Sequence, residues 1–326
     1  MRREKLKPDY KDMSWMIFQQ EFKKEDDCYK WLFKTRWPNG FICPKCEGEK
    51  FWWISTQKLY KCANCNYRVS ITAGTIFHKT RTSLMKWFML IYRMSTSKTG
   101  VSINEMKREL EIKDYKTVWT MAHKIRKAMA DRDAKYNLAG LVETDESFFG
   151  TSKPGNRGRG AEGKRIVLIA ISIWKDKSGK ERPGFAKAFI IKDASAETIK
   201  EVLIRTGVAD NEIELLIKKI RTDGWRSYET VSNDLNIGHY RVILKDPKDT
   251  IKLLPWTHRL IGNAKAVFSG PHRGISPKHL QRYLSEVCYR FNRRFWGREA
   301  FHRLLFACST TNTITRDELM EKYKVS

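Results

Sequence analysis

Two close cysteine pairs fix how the first part of this chain can fold. Cys43 and Cys46 bound "CPKC", Cys62 and Cys65 bound "CANC", and residues 47–61 separate them. Two such knuckles can bring four thiolates to the corners of a tetrahedron, each roughly 2.3 Å from one zinc ion, with no position left open. The spacing predicts a small four-cysteine ribbon with one structural zinc. Cys28, Cys288 and Cys308 lie in helical patterns and read as buried small hydrophobes. Seven cysteines with two close pairs argue for metal over a disulfide framework and fit a reducing compartment.

Around the knuckles, "KFWWI" and "KLYKC" read as short hairpin strands, so residues 39–75 form a module of their own. Ahead of it, residues 13–35 space their apolar positions at three and four. That predicts one amphipathic helix within an N-terminal helical segment, 1–38. Three further helical patterns lie between Ser83 and Ala130: "SLMKWFMLIYRMS", then "SINEMKREL" with Ser102 as N-cap and Glu105 three residues on, then "DYKTVWTMAHKIRKAM". Three short helices with Lys, His and Arg on the last suggest a helix-turn-helix-like region over 80–132. From Leu141 the texture turns to strands: "LVETDESFF", "RIVLIAISIWK" and "GFAKAFIIKD". A helix "SAETIKEVLIRTG", the strand "IRTDGW" and helices near 256–268 and 277–294 complete the run. That order predicts an α/β class with a ribonuclease-H-like catalytic core over 138–310, followed by a C-terminal tail over 311–326.

The chain carries 63 Lys plus Arg against 37 Asp plus Glu, a formal net charge of +26, so its expected partner is a polyanion, with nucleic acid first. A membrane surface competes, but no apolar run approaches the roughly 18 residues of a spanning helix, and "MRREKLKPDY" has no apolar signal-peptide core. The expected location is the cytoplasm, at the nucleoid in a bacterium, or the nucleus in a eukaryote. Lys45, Lys58, Lys61 and Arg68, with Trp52, Trp53 and Tyr60, suit phosphate contacts and base stacking. The aromatics suit the core of a tiny module equally well. Lys116 beside Thr117, Lys124 and Arg126 on the third helix are further candidate DNA contacts. So are Arg157, Arg159 and Lys164 in the run from Lys153 to Arg165, and the pair Arg293 and Arg294.

"LVETDESFFG" sets Glu143, Asp145 and Glu146 into what reads as a buried strand of a very basic chain. A carboxylate there costs several kcal/mol unless it pairs or binds a cation. Asp223 in "IRTDGW" ends a later strand. Two aspartates at adjacent strand ends can hold a pair of divalent ions roughly 3.5 to 4 Å apart, the arrangement that catalyses phosphoryl transfer. Taken singly, Asp145 could equally pair with an arginine, and Asp223 could equally begin the turn before "GW". Beyond Asp223, residues 224–257 lead to His258 in "LPWTHRLIGNAKAVFSG", and Lys265 lies two turns further on the same helix face. Period-two alternation puts Glu143 on the Asp145 face in a supporting role, and Glu146 opposite as a solvated or paired acid.

Taken in order, "CPKC…CANC", "TAGTIFHKTRTSLMKWF", "VETDESFFG", "GRGAEGK", "TDGW", "PWTHRLIGNAK" and "HLQRYLSEVCYRFNRR" resemble the DDE-superfamily insertion-sequence transposases with an N-terminal zinc ribbon and an ISXO-type domain. The resemblance covers nearly the whole chain. It implies a transposase that binds the terminal inverted repeats of its own element and performs metal-dependent strand cleavage and strand transfer. It also implies that Asp145 and Asp223 are the first two metal-binding acids, holding Mg²⁺ or Mn²⁺, with two ions expected. The third ligand in that family is commonly Glu; here His258 stands at its spacing, making the triad DDH, and relatives vary there with Asn or His. Lys265 matches the family's basic residue about seven positions later. Asn263 and Glu286 are the other third-ligand candidates, and His258 could instead contact a DNA phosphate or serve the structure. Imidazole is a poorer ligand than carboxylate for Mg²⁺ and a better one for Mn²⁺. The implied partners are double-stranded DNA, as transposon ends and target, and a second copy of the chain, because two ends must be held together.

"GRGAEGKR" matches G-x-G-x-x-G and nearly matches a P-loop, but the strand "RIVLIAI" follows where both need a helix, and Arg165 replaces the P-loop Ser or Thr. Nucleotide binding is rejected, and the run reads as a basic loop near the first catalytic strand or as an ordinary solvated hairpin. In the helix 278–294, Glu286 can pair with Arg282 or Arg290. The alternative to a transposase is a catalytically inactive or domesticated relative that binds DNA through residues 40–130, a reading the third-position histidine favours. A site-specific nuclease without joining activity is a third reading.

Overall fold

A computed structural model of the chain describes residues 12–150, 164–208, 214–242, 254–272 and 274–321. Two compact units emerge: one holds the residues up to Met129 together with Trp296–Met320, the other is built on Ala130–Phe295. No described helix is long and apolar enough to cross a membrane.

The first unit opens with α1 (Trp15–Glu21) and α2 (Glu25–Arg36) rather than the single helix expected over 13–35. Asp27 causes the break. Its Oδ2 accepts from the backbone N–H groups of Lys23 and Lys24 at 3.2 and 3.1 Å, which starts a second helix instead of prolonging the first. Three antiparallel strands, β1 (Phe51–Ile54), β2 (Leu59–Cys62) and β3 (Arg68–Ser70), form a small sheet. One face of it, carrying Phe51, Trp53 and Tyr60, packs against Phe33, Trp37, Phe41 and Tyr29. Then come α3 (Leu84–Thr96), α4 (Ile103–Glu109) and α5 (Tyr115–Ala134). Ser102 stands at the N-cap of α4 without a side-chain capping bond, and Glu105 reaches Arg93 at 3.3 Å instead.

The second unit is a five-stranded sheet with helices on both faces. Its strands are β4 (Gly140–Phe149), β5 (Arg165–Lys175), β6 (Glu181–Ile191), β7 (Ile217–Thr222) and β8 (Gly238–Arg241). Their order is β6-β5-β4-β7-β8, antiparallel through the first three and parallel from β4 to β8. This is the ribonuclease-H-like arrangement that the element order predicted. Between strands stand α6 (Ala196–Gly207) and α7 (Arg226–Asp234), and after them α8 (Pro255–Ser269) and α9 (Leu280–Asn292). α7 and β8 are short and keep few apolar positions, so little in the sequence marks them.

Period-two alternation splits the core into two layers. Phe149, Val167, Ile169 and Ile171 pack with Leu260, Ala264 and Leu284 of α8 and α9. Val142, Leu168 and Ala170 pack with Ile199, Val202, Leu203, Tyr228 and Val231 of α6 and α7. Each large side chain so buried contributes roughly 1.5–3 kcal/mol. The outer edge of β6 is closed by amides from α9. Gln281 accepts from Ile190 N–H at 2.9 Å and donates to Ala188 O at 2.8 Å, while Asn292 accepts from Ala186 N–H at 2.7 Å and donates to its carbonyl at 3.0 Å. Backbone groups that would otherwise template another strand are satisfied within the unit.

The chain finishes with α10 (Ala300–Thr310) and α11 (Arg316–Met320) in the first unit. Phe301 of α10 meets Phe18, Phe22, Phe88 and Tyr92. The catalytic region expected to reach residue 310 therefore gives up this helix to the aromatic cluster around α1 and α3.

Candidate active site and zinc centre

The two cysteine knuckles fold as near copies. Glu47 N–H donates to Cys43 O at 2.9 Å and Asn66 N–H to Cys62 O at 3.1 Å. Glu47 and Asn66 both take positive φ, 58° and 59°, which turns each chain end away behind its second cysteine. The sulfurs of Cys43 and Cys65 lie 3.6 Å apart, as do those of Cys46 and Cys62, close to the tetrahedral edge of about 3.8 Å that four 2.3 Å zinc–sulfur bonds require. The backbone N–H groups of Cys65 and Asn64 stabilise the Cys62 thiolate and bring its pKa down to about 7. The donor set and spacing fit a structural zinc. Cys28, Cys288 and Cys308 are buried thiols away from this cluster, with pKa values pushed up by burial, Cys28 to about 12.

The acids gather on the α8 side of the large sheet. The parallel register pairs Glu143 of β4 with Arg221 of β7, so Asp145 and Asp223 come two residues further along neighbouring strands. Asp145 is 7% exposed, and His258 of α8 brings its Nε2 to 3.4 Å from Asp145 Oδ2. Asp223 stands one residue past β7, with its Oδ1 accepting from Trp225 N–H at 3.1 Å. Behind it, buried Thr222 shares a 2.9 Å hydrogen bond with His239 Nε2, tying the end of β7 to β8. Burial, then the charges of Asp223 and Glu146, raise the Asp145 carboxyl to about 7. Burial also lowers the His258 pKa, against the opposing pull of Asp223, so the imidazole is neutral at pH 7. Among the described residues, no three His, Cys, Asp or Glu side chains beyond the zinc set bring their ligand atoms within 4.8 Å of one another. The acids and His258 are thus more widely spread than the thiolates.

Glu143 holds the helix that carries His258. It is fully buried, and its Oε1 accepts from Trp256 N–H and Thr257 N–H, both at 2.8 Å, and from the Thr257 hydroxyl at 3.0 Å. A carboxylate on these orphan donors caps α8 and complements its dipole. Its other oxygen lies 3.8 Å from Arg221, which makes two short bonds to Glu181 at 2.7 and 2.9 Å. Glu146 lies on the opposite face beside the buried Tyr228 hydroxyl. Lys265, two turns along α8 from His258, is exposed and places its Nζ 5.6 Å above the Phe149 ring. Asn263 is exposed about 140° around the helix from His258. Glu286 is buried on α9 and pairs with Arg290 at 3.7 Å.

The candidate DNA contacts divide. Strand register lines up Trp52, Lys61 and Arg68 across β1, β2 and β3, on the face opposite the aromatic core, and Trp52 is 67% exposed. Lys45 and Lys116 are exposed, whereas half-buried Lys124 donates to Ile76 O at 3.4 Å. Arg126 is fully buried, so its reading as a DNA contact is corrected: between Met121 and Met129 α5 is covered on several sides, not one. Arg293 is corrected likewise. It is 7% exposed, bonds Asp133 Oδ1 at 2.7 Å and lies 3.5 Å over the Tyr289 ring. Arg294 donates to the carbonyls of Phe291 and Pro183 and stacks on Phe291 and Phe295. Its guanidinium is thereby committed inside the unit rather than to phosphate. Lys164 is half-buried just before β5, and Arg157 and Arg159 lie outside the described residues. Sequence reasoning missed Arg221 and Gln281, whose partners are too distant in sequence to signal them.

A zinc ribbon ahead of a ribonuclease-H-like core with aspartates on neighbouring parallel strands fits the transposases of the DDE class. The chain belongs to the insertion-sequence transposases: residues 137–292 match the ISXO2-like transposase domain and residues 23–68 the transposase zinc-ribbon domain. The first of these ends at Asn292, the last residue of α9. The chain is 27% identical to an uncharacterized protein in transposable element ISH50 of Halobacterium salinarum, over 78% of this chain and 86% of that protein. The solved Mos1 transposase paired-end complex with left transposon end aligns over 69% of this chain and 79% of its own at 11% identity, with a TM-score of 0.22, a likeness too distant to carry an argument.

Proposed function

We propose that this chain binds the terminal inverted repeats of its own insertion sequence, cuts DNA there and joins the freed strand to target DNA. The observation that carries this reading is the Asp145–His258 pair beside Asp223. The buried Asp145 carboxyl, near pKa 7 with its Oδ1 accepting from Glu146 N–H at 2.8 Å, faces a neutral imidazole whose Nε2 makes no hydrogen bond among the described residues, and a divalent cation would satisfy both. Asp145, Asp223 and His258 are the side chains that would hold such ions, two in number, and the imidazole suits Mn²⁺ better than Mg²⁺. Bound there, the ions would supply Lewis acidity at the phosphodiester and a lowered pKa for the attacking water or 3′-hydroxyl. The chain's own part is positional. Glu143 fixes α8 against β4, and Lys265 lies along the same helix face, where its ammonium can hold a DNA phosphate. Trp52, Lys61 and Arg68 offer one aromatic and two cations on one exposed sheet face, a set suited to phosphate and base contact at the element end. Two ends must meet for strand transfer, so the working form is at least a dimer on DNA.

The test is cleavage and joining on duplexes carrying the flanking element ends, with Mg²⁺ or Mn²⁺, for wild type, Asp145→Asn, Asp223→Asn and His258→Ala. Wild type should cut and join, and the three variants should bind the ends without cutting. Imidazole in place of a third carboxylate favours one alternative, a relative that binds DNA without cutting. Tight binding with no cleavage in either metal would establish that alternative instead.

A further inference from the structure

We infer that the β5–β6 hairpin tip, residues 174–182, is a second DNA-backbone contact, away from the metal acids. This inference rests on the DNA-binding reading above and adds a surface to it. The tip reads "WKDKSGKER" and carries Lys175, Lys177, Lys180 and Arg182 against Asp176 and Glu181. Both acids are turned inward. Asp176 Oδ1 accepts from Ser178 N–H at 2.9 Å, the Ser178 hydroxyl at 2.5 Å and Lys180 N–H at 3.1 Å, and Oδ2 accepts from Arg182 Nε at 2.8 Å. Glu181 is bound twice by Arg221. Lys175, Lys177 and Lys180 are left exposed, and Trp174 beside them is 51% exposed opposite Arg182 in the ladder. With Asp176 bound to its own turn and Glu181 to Arg221, the charge that the tip shows to solvent is that of the three lysines.

The turn is also preorganised. Asp176 N–H donates to Lys180 O at 3.0 Å, Gly179 N–H donates to Asp176 O at 2.9 Å, and Gly179 takes φ +79°, a conformation an L side chain resists. Cations held on a fixed turn lose less freedom on binding than cations on a mobile loop. Asp145 pairs with Ile169, and Lys175 comes six residues further along β5, so the tip lies about 20 Å along the sheet from the acids at roughly 3.3 Å per residue. That distance corresponds to about six base pairs of B-form DNA. The tip would therefore meet phosphates remote from the cut and leave the chemistry of the cut untouched.

The experiment titrates KCl against a 30-base-pair duplex of unrelated sequence, using fluorescence anisotropy on the full zinc-loaded chain. Wild type is compared with the triple variant Lys175→Gln, Lys177→Gln, Lys180→Gln, with circular dichroism to confirm the fold. Each lost phosphate contact lowers the slope of log affinity on log salt by about 0.9, so the triple variant should lose about 2 to 3 from the slope. A steep wild-type slope that the variant keeps would overturn the hairpin contact alone. A wild-type chain with no salt-dependent affinity would remove the DNA-binding reading and the hairpin with it.

Discussion

Glu143 and Thr257 lie 114 positions apart in sequence, yet the Glu143 carboxylate takes both the backbone N–H and the hydroxyl of Thr257. This contact sets the distance between β4 and the first turn of α8, and so between Asp145 and His258. Glu143→Ala leaves three donors without an acceptor in a dry site and should lower the stability of the second unit by about 3 kcal/mol. Glu143→Gln keeps an acceptor for those donors and should lose about 1 kcal/mol. Thermal melts give the first comparison. Mn²⁺ affinity gives the second: it should fall in the alanine variant and largely survive in the glutamine variant. Equal affinity in both would mean that the cap stabilises α8 without positioning His258.

Asp145 couples stability to pH in a direction opposite to most surface carboxylates. Its folded pKa is raised to about 7, while an unfolded aspartate titrates near 3.9. The folded state therefore holds the proton more tightly, and the residue weakens folding progressively as pH rises from about 4 to about 7, with a ceiling of about 4 kcal/mol above that window. In buffer free of added divalent ions, Asp145→Asn should melt above wild type at pH 8, and the gain should shrink by pH 5. A gain of equal size at both pH values would show that ionisation of Asp145 is not its source.

The local signals in the sequence and the long-range ones fared differently. Cysteine spacing carries its own geometry, because knuckle and tetrahedron are both set within a few residues. The strand "LVETDESFF" shows its alternation directly, which is enough to separate the Glu143 face from the Glu146 face. Arg126 and Arg293 were misread because a basic residue on a helix advertises a polar face whether that face meets water or a buried acid. Only the arrival of Asp133 from α5 distinguishes the two for Arg293. The end of the catalytic region was misplaced for a related reason: Phe301 is apolar in either unit, and nothing local says which aromatic cluster receives it.

Arg293→Ala separates these two roles for that side chain. Burial already raises the Asp133 pKa against the attraction of Arg293, so removing the guanidinium strands a buried acid. The loss should be about 3–5 kcal/mol. The salt slope of DNA binding should not change. A phosphate contact would behave in reverse, with little loss of stability and a slope lower by about 0.9.

Zinc should behave as part of the fold rather than of the reaction. Cys43 and Cys62 are fully buried and the knuckle turns depend on sulfurs held together, so apparent binding on the order of 10 kcal/mol or more is available to the ribbon. Elemental analysis should return one zinc per chain, and Cys62→Ala should reduce it to none. The same variant should lose element-end binding while the melting transition of the second unit persists. Retained zinc in Cys62→Ala would require a different ligand set.

In the proposed reaction His258 would set the choice of divalent metal. Its imidazole is neutral and borderline-soft, which suits Mn²⁺, and its Nε2 lies 3.4 Å from one oxygen of Asp145. His258→Glu replaces it with a hard oxygen donor and adds a third carboxylate to a buried cluster, which then needs cations more strongly to offset repulsion. The ratio of Mn²⁺-supported to Mg²⁺-supported cleavage should fall by about tenfold or more, a change typical of altered metal surroundings. Cleavage rates in each metal alone, on the same end substrate, measure that ratio directly. An unchanged ratio with activity intact would take His258 out of the metal site and leave Asp145 and Asp223 to be completed by another residue.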